Sequence, residues 1–477
     1  MNAFPSLHPF FDPCRVAIIG ASANPERISG RPLRFFRRHG FKGNVYLVNP
    51  TRTEIDGLRC HPSIRDVPAR VDLAIIAVDA TLVLEELEAC AQHGVRFVII
   101  FSGGFAEAGP AGVAAQDRIR EIVARTGIRV SGPNTIGSAN LHNGTCPSFA
   151  ICLDRDAEPG PIGFVSQSGA FGSAIVGKSL DEGMGIGMFA CTGNEADLDF
   201  SDYAYHMLTD ERIRSVCGYV EGLRDGKKFL AVADAALERG KPLVILKVGR
   251  SSTGSRTAGS HTGAMTGSER VYDAVFRQKG VLRAHNTDEL LDCALLCAMA
   301  PEPAGDRVAI LSISGGANVL MADECEAAGL RLPALAPRTL EVLRRHIPSY
   351  GALHNPVDLT GQFINAPSAL PDLLHALRDD DQVDAVLLFM SVMYPQEEVI
   401  VQGLSGAVGG AKKPVVVVWT AGPPNVLTRL RRLGVPALAE PTRAVRALGG
   451  YCRFAALRRR IPQGASLGAK ESCDGER

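Results

Sequence analysis

The sequence predicts an α/β protein built on parallel β-sheets. Two observations predict this class: short apolar, β-branched runs recur along the chain, and helical patterns that end in glycine lie between them. The 50 glycines are numerous for 477 residues and are typical of tight turns between strands and helices. A chain of this length also exceeds what one compact core accommodates, so we expect two to four domains.

The composition narrows the class of protein. Lys+Arg and Asp+Glu number 51 each, so no net charge attracts nucleic acid or an anionic membrane. No apolar run approaches the roughly 20 residues that span a bilayer, and the N-terminus lacks a secretory signal pattern. The 12 cysteines have no regular spacing, which predicts reduced and mostly buried thiols rather than disulfides or a zinc site. We therefore expect a soluble, cytoplasmic protein.

The first third of the chain has the pattern of a doubly wound parallel sheet. Strand patterns occupy 15–20, 44–49, 73–78 and 97–101, and a helical pattern runs over 82–93. Ligands of such sheets bind where the strands end. Those ends are Gly20-Ala-Ser22, Asn49-Pro-Thr-Arg52, Val78-Asp79-Ala80 and Ser102-Gly-Gly-Phe105, and Arg52 is a candidate phosphate contact. The first strand is not followed by G-x-G-x-x-G, which disfavours a nicotinamide cofactor; a domain without any ligand is the alternative.

The middle third opens with a strand-to-helix turn, Ser166–Gly172, which follows a strand pattern at 161–165. Its small residues let backbone N–H groups at the start of a helix approach an anion, and the helix dipole also favours negative charge there. A tight connection without a ligand is the alternative. The next polar turn, 192–199, offers Asp197 or Asp199 as the cap of a following helix.

One histidine stands apart from the others. His261 lies among small and hydroxyl residues, 254–267, which predicts an exposed loop with freedom to move. The loop follows a strand pattern at 241–247, and Glu221 ends the preceding strand at 215–220, so we expect the two ends to be neighbours. A carboxylate can accept the N–H of an imidazole and leave its other nitrogen as the nucleophile. We therefore predict that His261 carries a phosphoryl group and that Glu221 orients it.

The last third repeats the middle third without the histidine. The residues at 309–317 echo 164–170, and Lys413-Pro before an apolar run echoes Lys241-Pro. Two copies of one β-α-β domain type are therefore expected. The second copy is predicted to shape the site or an interface rather than to do chemistry, and 300–305 is predicted to be a linker.

Taken together, these motifs resemble the NDP-forming (ADP-forming) acyl-CoA synthetases, relatives of succinyl-CoA synthetase. The resemblance runs from about Pro13 to about Phe454, nearly the whole chain. The motifs that carry it, in the family's order, are Gly20-Ala-Ser22, Ser166-Gln-Ser-Gly169, Glu221-Gly222 and Ser260-His-Thr-Gly263.

The resemblance implies three domains, and the polar composition beyond Arg460 predicts a tail. A Rossmann-like CoA-binding domain is expected at 1–145 and a flavodoxin-like ligase domain with the phosphohistidine loop at 146–303. A second flavodoxin-like ligase domain is expected at 304–460, followed by a disordered tail at 461–477.

The resemblance also implies the roles of individual residues. The family's transiently phosphorylated histidine matches His261, and the glutamate that orients it matches Glu221. The residues similar to the helix start that holds the phosphate are Ser166, Gln167, Ser168 and Gly169. The implied coenzyme A contacts are Gly20, Ala21, Ser22, Arg52, Val78, Gly103, Gly104 and Asn134.

Three positions differ from related enzymes. Arg52 lies where a relative uses a lysine near coenzyme A, and Thr135 lies where succinyl-CoA synthetase has a cysteine. Asp79 stands where many members have proline; its carboxylate either weakens coenzyme binding or points away from the coenzyme.

The resemblance implies the reaction acyl-CoA + phosphate + ADP ⇌ carboxylic acid + CoA + ATP, through an acyl phosphate and a phosphohistidine. The three expected domains leave no room for the ATP-grasp region of fused members, so a separate ATP-grasp subunit and a hetero-oligomer are implied. Mg²⁺ and the nucleotide are expected on that partner, and no metal ligand is assigned to this chain. The rivals are a CoA-binding regulatory or scaffold subunit without catalysis and, more weakly, a Rossmann oxidoreductase.

Overall fold

Three β-sheets organise the computed structural model, which describes residues 4–251, 253–254 and 268–461. The strands, in chain order, are β1 Arg15–Ile19, β2 Asn44–Val48, β3 Glu54–Ile55, β4 Leu58–His61, β5 Leu73–Ile76, β6 Phe97–Ile100, β7 Arg129–Ser131, β8 Ser138–Asn140, β9 Ile162–Ser166, β10 Ile186–Cys191, β11 Ser215–Val220, β12 Leu243–Lys247, β13 Leu282–Ala284, β14 Val308–Ser312, β15 Val357–Asp358, β16 Ala385–Ser391, β17 Val415–Thr420 and β18 Ala437–Leu438.

Helices connect most of these strands, as expected of parallel sheets. They are His8–Phe11, Arg31–Arg38, Val83–Gln92, Pro110–Thr126, Gly169–Asp181, Phe200–Thr209, Gly226–Arg239, Glu269–Gln278, Thr287–Met299, Gly315–Ala327, Pro337–His346, Leu370–Arg378, Glu397–Val408, Val426–Arg432 and Pro441–Arg458.

The first sheet has the order β3-β4-β2-β1-β5-β6-β7. All its pairings are parallel except that of β3 with β4, and β1 lies between β2 and β5. The strands β5 and β6 are wholly buried because helices cover both faces, as their apolar sequences predicted. The predicted doubly wound sheet is therefore confirmed, although β5 ends at Ile76 rather than at Val78.

The second and third sheets share one topology. The second sheet has the order β13-β12-β11-β9-β10-β8, and the third has the order β15-β14-β16-β17-β18. When the third order is reversed, β14 to β18 take the places of β9 to β13, strand by strand. The lysines of the two Lys-Pro sequences make equivalent hydrogen bonds. Lys241 Nζ donates to the Asp210 carbonyl at 2.6 Å, and Lys413 Nζ donates to the Asp380 carbonyl at 2.7 Å. The predicted repeat is thus present in the backbone and in its side-chain contacts.

The strand β8 has no counterpart in the third sheet. It pairs antiparallel with β10 at the edge of the second sheet, although it lies before residue 146, where the second domain is predicted to begin. One apolar cluster also runs from the first sheet into the second: the Phe10 ring meets Tyr203 at 5.6 Å, and Phe11 stacks on His206 at 4.9 Å. The first two sheets therefore pack through a shared core.

The thiols follow the sequence prediction. All cysteines in the described ranges are free, and all but Cys14 are buried. None of the helices described by the structure is both long and apolar enough to cross a membrane. The predicted tail at 461–477 lies, apart from Ile461, outside the described residues.

Candidate functional site

Five loops meet at the carboxyl edge of the first sheet. They follow β1, β2, β5, β6 and β7, which are parallel and adjacent in the sheet. The predicted coenzyme contacts in these loops are Gly20, Ala21, Ser22, Arg52, Val78, Gly103, Gly104 and Asn134. The fold therefore brings these residues to one edge, although they are far apart in sequence.

The turn after β1 requires a glycine. Gly20 has φ of +84°, and a Cβ at this position would lie 2.6 Å from the Ala77 carbonyl oxygen. The Gly20 and Ala21 N–H groups donate to the Val48 carbonyl at 3.0 and 3.2 Å, so the turn is pulled toward β2. Close approach of backbone at this point is a property of sites that accept a ligand at a strand end.

The loop after β2 is an Asx turn. Asn49 Oδ1 accepts from Thr51 N at 2.9 Å and from Arg52 N at 3.1 Å, and Asn49 Nδ2 donates to the Ala21 carbonyl at 2.9 Å. These bonds join the loops after β1 and β2 and leave the Arg52 side chain exposed at the carboxyl edge. An exposed guanidinium there suits an anionic ligand.

Asp79 directs its carboxylate into its own turn. Its Oδ1 accepts from the Thr81 hydroxyl at 2.7 Å and from Thr81 N at 3.0 Å, which caps the short helix that begins at Ala80. The hydrogen bond from the Thr81 side chain is the main reason that the pKa of Asp79 lies below its ordinary value. The carboxylate is therefore engaged with its own turn, and its effect on coenzyme binding stays a prediction.

A polar cluster, in which Asn194 is buried and Asn134 is exposed, joins the first sheet's loops to the second sheet's. Glu107 Oε1 accepts from Gly104 N at 2.6 Å, and its other oxygen accepts from Asn194 Nδ2. Asn134 Nδ2 in turn donates to Asn194 Oδ1 at 3.3 Å. Burial acts to raise the pKa of Glu107, but the bonds from Asn194 and from backbone N–H groups outweigh it and lower the pKa. The predicted coenzyme loops therefore contact the turn after β10 directly.

The turn Ser166–Gly169 begins the helix Gly169–Asp181, as predicted. The Ser166 hydroxyl donates to the Ser168 carbonyl at 2.7 Å. Within the described chain, Ser168 makes no capping hydrogen bond with its side chain, so the first N–H groups of the helix are not covered by it. This arrangement suits an anion bound at the helix N-terminus.

Gln167 has a different role from its neighbours. Its Nε2 donates to Glu195 Oε1 at 2.9 Å and to the Gly222 carbonyl at 2.7 Å. Its Oε1 accepts from Glu221 N at 2.6 Å and from Gly222 N at 3.0 Å. A primary amide has two donors and two acceptor positions, so this side chain is fully used by protein groups. Gln167 therefore holds the turn at Glu221, and a phosphate would meet the helix N–H groups instead.

Glu221 lies at the carboxyl end of β11, as predicted, and is buried. The neighbouring strand β12 is parallel to β11, with Val220 in register with Lys247. Lys247 is 1% exposed, its ammonium lies 4.8 Å from the Tyr272 ring centre, and burial lowers its pKa. The chain that follows β12 leads to the predicted histidine loop, so Glu221 follows the strand next to the one that leads to that loop.

Glu195 is a buried residue that contacts Gln167 and that the sequence did not single out. It is buried, and burial raises its pKa to about 7, although Gln167 and Arg224 act in the opposite direction. The weak signal for it was the predicted polar turn 192–199 after a strand. Of the two caps expected in that turn, Asp199 caps the helix Phe200–Thr209, whereas Asp197 forms an ion pair with Arg129 at 2.8 Å instead.

His261 and the segment 255–267 lie outside the described residues, so the predicted phosphohistidine stays a prediction. In the part of the chain that the structure does describe, no three His, Cys, Asp or Glu side chains group in a way that could hold a metal ion.

Three family models match the chain in order. A CoA binding domain matches residues 14–140, a succinyl-CoA ligase like flavodoxin domain matches 159–297, and a Ligase-CoA domain matches 308–427. These matches agree with the fold class predicted from the motifs.

Individual proteins are similar over nearly the whole chain. An acetate–CoA ligase (ADP-forming) I subunit alpha of Pyrococcus furiosus is 35% identical over 459 residues, which cover 94% of this chain and 98% of that protein. The longer acetate–CoA ligase (ADP-forming) I of Archaeoglobus fulgidus is 35% identical over 94% of this chain and 64% of its own length. A solved structure, the dinucleotide forming acetyl-coenzyme A synthetase 1 of Ca. Korarchaeum cryptofilum in complex with phosphate and ADP, has a TM-score of 0.87 at 31% identity, over 95% of this chain and 97% of that one.

Proposed function

The chain belongs to the ADP-forming acyl-CoA synthetases, which are acid–thiol ligases, and we propose that it works as their alpha-type subunit with a separate ATP-grasp subunit. The observation that carries this proposal is the position of Glu221, buried at the end of β11 beside the strand that leads to His261. The order of Glu221 and His261 along the chain, each after one of two neighbouring parallel strands, suits phosphoryl transfer through a histidine.

The first step forms an acyl phosphate at the join of the first two sheets. A phosphate oxygen attacks the thioester carbonyl, the C–S bond breaks, and coenzyme A leaves as the thiol with a proton from phosphate. Hydrogen bonds link the loops that contain Gly104, Asn134 and Asn194. A thioester held at the carboxyl edge of the first sheet therefore lies beside the second sheet. Backbone N–H groups at the start of the helix Gly169–Asp181 are the proposed phosphate site.

The second step moves the phosphoryl group to His261. One imidazole nitrogen attacks phosphorus, the P–O bond to the acyl group breaks, and the carboxylic acid leaves as its carboxylate. The other imidazole nitrogen keeps its proton in a hydrogen bond to Glu221, which stabilises the charge that develops on the ring. In the third step, ADP bound to the partner subunit takes the phosphoryl group from His261. Mg²⁺ would be held on that subunit together with the nucleotide.

A separate partner is supported by the likeness to a relative named as an alpha subunit, of which the matched region covers 98%. We therefore propose a hetero-oligomer that completes the ATP-binding site, and we place it in the cytoplasm, where its expected substrates are.

The second candidate, a CoA-binding regulatory or scaffold subunit, rested partly on Asp79. The carboxylate of Asp79 accepts two hydrogen bonds from Thr81, which supports coenzyme binding beside it. The experiment that separates the candidates is phosphorylation of the chain, mixed with a candidate ATP-grasp subunit, γ-labelled ATP and Mg²⁺. An acid-labile, base-stable label is expected, and His261→Asn abolishes it.

A matched control is His285→Asn, because His285 is an exposed histidine that follows β13 of the same sheet. This variant is expected to keep the label. Label that survives His261→Asn would show that the histidine assignment is wrong. Coenzyme A binding without any label, also with acyl-CoA and labelled phosphate, would favour the regulatory subunit.

A further inference from the structure

We propose that Glu195 is a positioning residue of this reaction: through the amide of Gln167 it sets the orientation of the turn that carries Glu221. This inference rests on the proposed function, because its consequence is measured as transfer to His261.

The location of Glu195 is tightly constrained. It is 5% exposed, in the turn after β10, and has φ of +53°, a left-handed conformation that a glutamate seldom adopts. The preceding Gly193 has φ of +59°, and a Cβ there would lie 2.4 Å from the Pro133 carbonyl oxygen. The turn is also held from the other side, because Arg224 Nη2 donates to the Asn194 carbonyl at 2.5 Å. Unfavourable backbone geometry that the surroundings maintain is typical of functional sites.

The carboxylate of Glu195 decides which way the amide of Gln167 points. Its Oε1 accepts from Gln167 Nε2, and the Gly222 carbonyl accepts the second amide hydrogen. Rotating the amide by 180° would bring the amide oxygen against both of these acceptors and the NH₂ group against the N–H groups of Glu221 and Gly222. Every contact would then be repulsive, so the observed orientation is strongly favoured.

The amide in turn holds the backbone of Glu221. Its Oε1 is 2.6 Å from Glu221 N and 3.0 Å from Gly222 N, and both N–H groups are buried. A carboxylate that must meet one imidazole nitrogen depends on where its Cα lies, because about 1 Å of misplacement can lower a rate about 100-fold. Losing the acceptor on Glu195 therefore removes one of the two hydrogen bonds that the amide NH₂ group donates, and it loosens the hold of the amide on this backbone.

A purely structural role is the competing explanation. Glu195 Oε1 also accepts from Phe200 N at 3.1 Å, and its Oε2 lies 3.4 Å from Arg224 Nε. Both contacts stabilise the fold whether or not the amide matters. The two roles differ in what a substitution does to transfer at constant substrate binding, so the rate and the KM have to be measured separately.

The experiment uses the full chain, acetyl-CoA and labelled phosphate, and measures the initial rate of acid-labile label at varied acetyl-CoA. Glu195→Ala is expected to lower the maximal rate about 100-fold with little change in the KM for acetyl-CoA. Glu195→Gln, whose amide oxygen can still accept from Gln167 and from Phe200 N, is expected to recover most of the rate. If Glu195→Ala does not fold, as judged by circular dichroism, Glu195→Asp is used instead. Its shorter side chain moves the carboxylate away from Gln167, and its rate and KM are compared with those of the wild type in the same way.

The matched control is Asp202→Ala. Asp202 is another buried carboxylate of the same domain, but it pairs with Lys228 at 2.5 Å and accepts from Asp199 N at 3.0 Å rather than from Gln167. This variant is expected to lower the unfolding temperature and to keep the transfer rate. A wild-type rate in Glu195→Ala, or an equal loss in Asp202→Ala, would overturn the inference. A wild-type chain that takes no label, under these conditions and with a partner subunit, would overturn the proposed function instead.

Discussion

The turns Ser166–Gly169 and Ser312–Gly315 can be compared residue by residue. In each, the first serine donates its hydroxyl to the carbonyl two residues later, at 2.7 Å for Ser166 and 3.0 Å for Ser312. Each begins a helix of 13 residues after the first strand of its copy of the repeat, β9 or β14. The local backbone is thus the same in both copies of the domain.

The difference lies in the second and third positions. Gln167 binds the turn at Glu221, whereas the matching Ile313 packs against the apolar core of the third sheet. Ser168 makes no capping bond among the described residues, whereas Ser314 Oγ accepts from Ala317 N at 3.4 Å. One backbone therefore serves two purposes: in the first copy its side chains organise a polar site, and in the second they complete a core and a cap.

The largest effect is expected from exchanging the second residue of the two turns. Gln167→Ile removes all four hydrogen bonds of the amide and leaves buried N–H groups of the Glu221 turn unsatisfied, so transfer to His261 should fall about 100-fold or more. Ile313→Gln should leave the rate near that of the wild type and lower only the stability. Labelled phosphate incorporation measures both, and equal losses would contradict the comparison.

The next effect is a pH dependence that only the first copy has. Burial raises the pKa of Glu195 from 4.5 to about 7, so its folded state binds a proton more tightly than its unfolded state. The resulting stability is present below about pH 4.5 and is lost as the pH rises through about 7, on the order of 3 kcal/mol in total. The unfolding temperature of Glu195→Gln relative to that of the wild type should therefore be higher at pH 8 than at pH 5.

The control for this pH dependence lies in the other copy. The turn after β15, which corresponds to β10, also holds a residue in the left-handed region, Thr360 with φ of +61°, but it carries no charge. Thr360→Val should lower the unfolding temperature equally at both pH values. A wild-type chain and Glu195→Gln that respond alike to pH would show that Glu195 does not titrate in this range.

A smaller effect is expected at the first residue of each helix. A Cβ on Gly169 would lie 2.9 Å from Ile136 Cγ2, whereas a Cβ on Gly315 would find its nearest neighbour, Asp358 Oδ2, at 3.5 Å. Gly169→Ala should therefore destabilise the protein by about 1–3 kcal/mol and disturb transfer, because the helix start must shift. Gly315→Ala should be neutral or stabilising. Unfolding temperatures and rates of label uptake test the pair, and a tolerated Gly169→Ala would refute it.

The smallest effect is expected where the two turns are alike. Ser166→Ala and Ser312→Ala each remove one hydroxyl-to-carbonyl hydrogen bond, so each should lower stability by about 1 kcal/mol. Only Ser166→Ala should also slow transfer, since it lies beneath the proposed phosphate site. Denaturant unfolding measures the first effect and label uptake the second; a slower rate in both variants would mean that the second turn takes part in the chemistry.

The sequence by itself determined the class of fold, the repeat and the family. Buried parallel strands are continuous apolar runs, and glycine turns with hydroxyl residues recur at fixed offsets, so local pattern sufficed for β1, β9 and β14. Glu221 could be predicted as a site residue because the strand order follows from β-α-β alternation. The family motifs added the roles of the coenzyme loops.

Only the tertiary structure decided how those residues are held. Gln167 meets Glu195 and the turn at Glu221 across 28 and 54 positions of sequence, and both partners follow strands next to β9 in the sheet. The same holds for Asp79, whose carboxylate turns toward Thr81, and for Asp197, which pairs with Arg129 instead of capping a helix. Side-chain hydrogen bonds depend on distances of about 3 Å between segments that strand order brings together, and a one-dimensional pattern does not contain those distances.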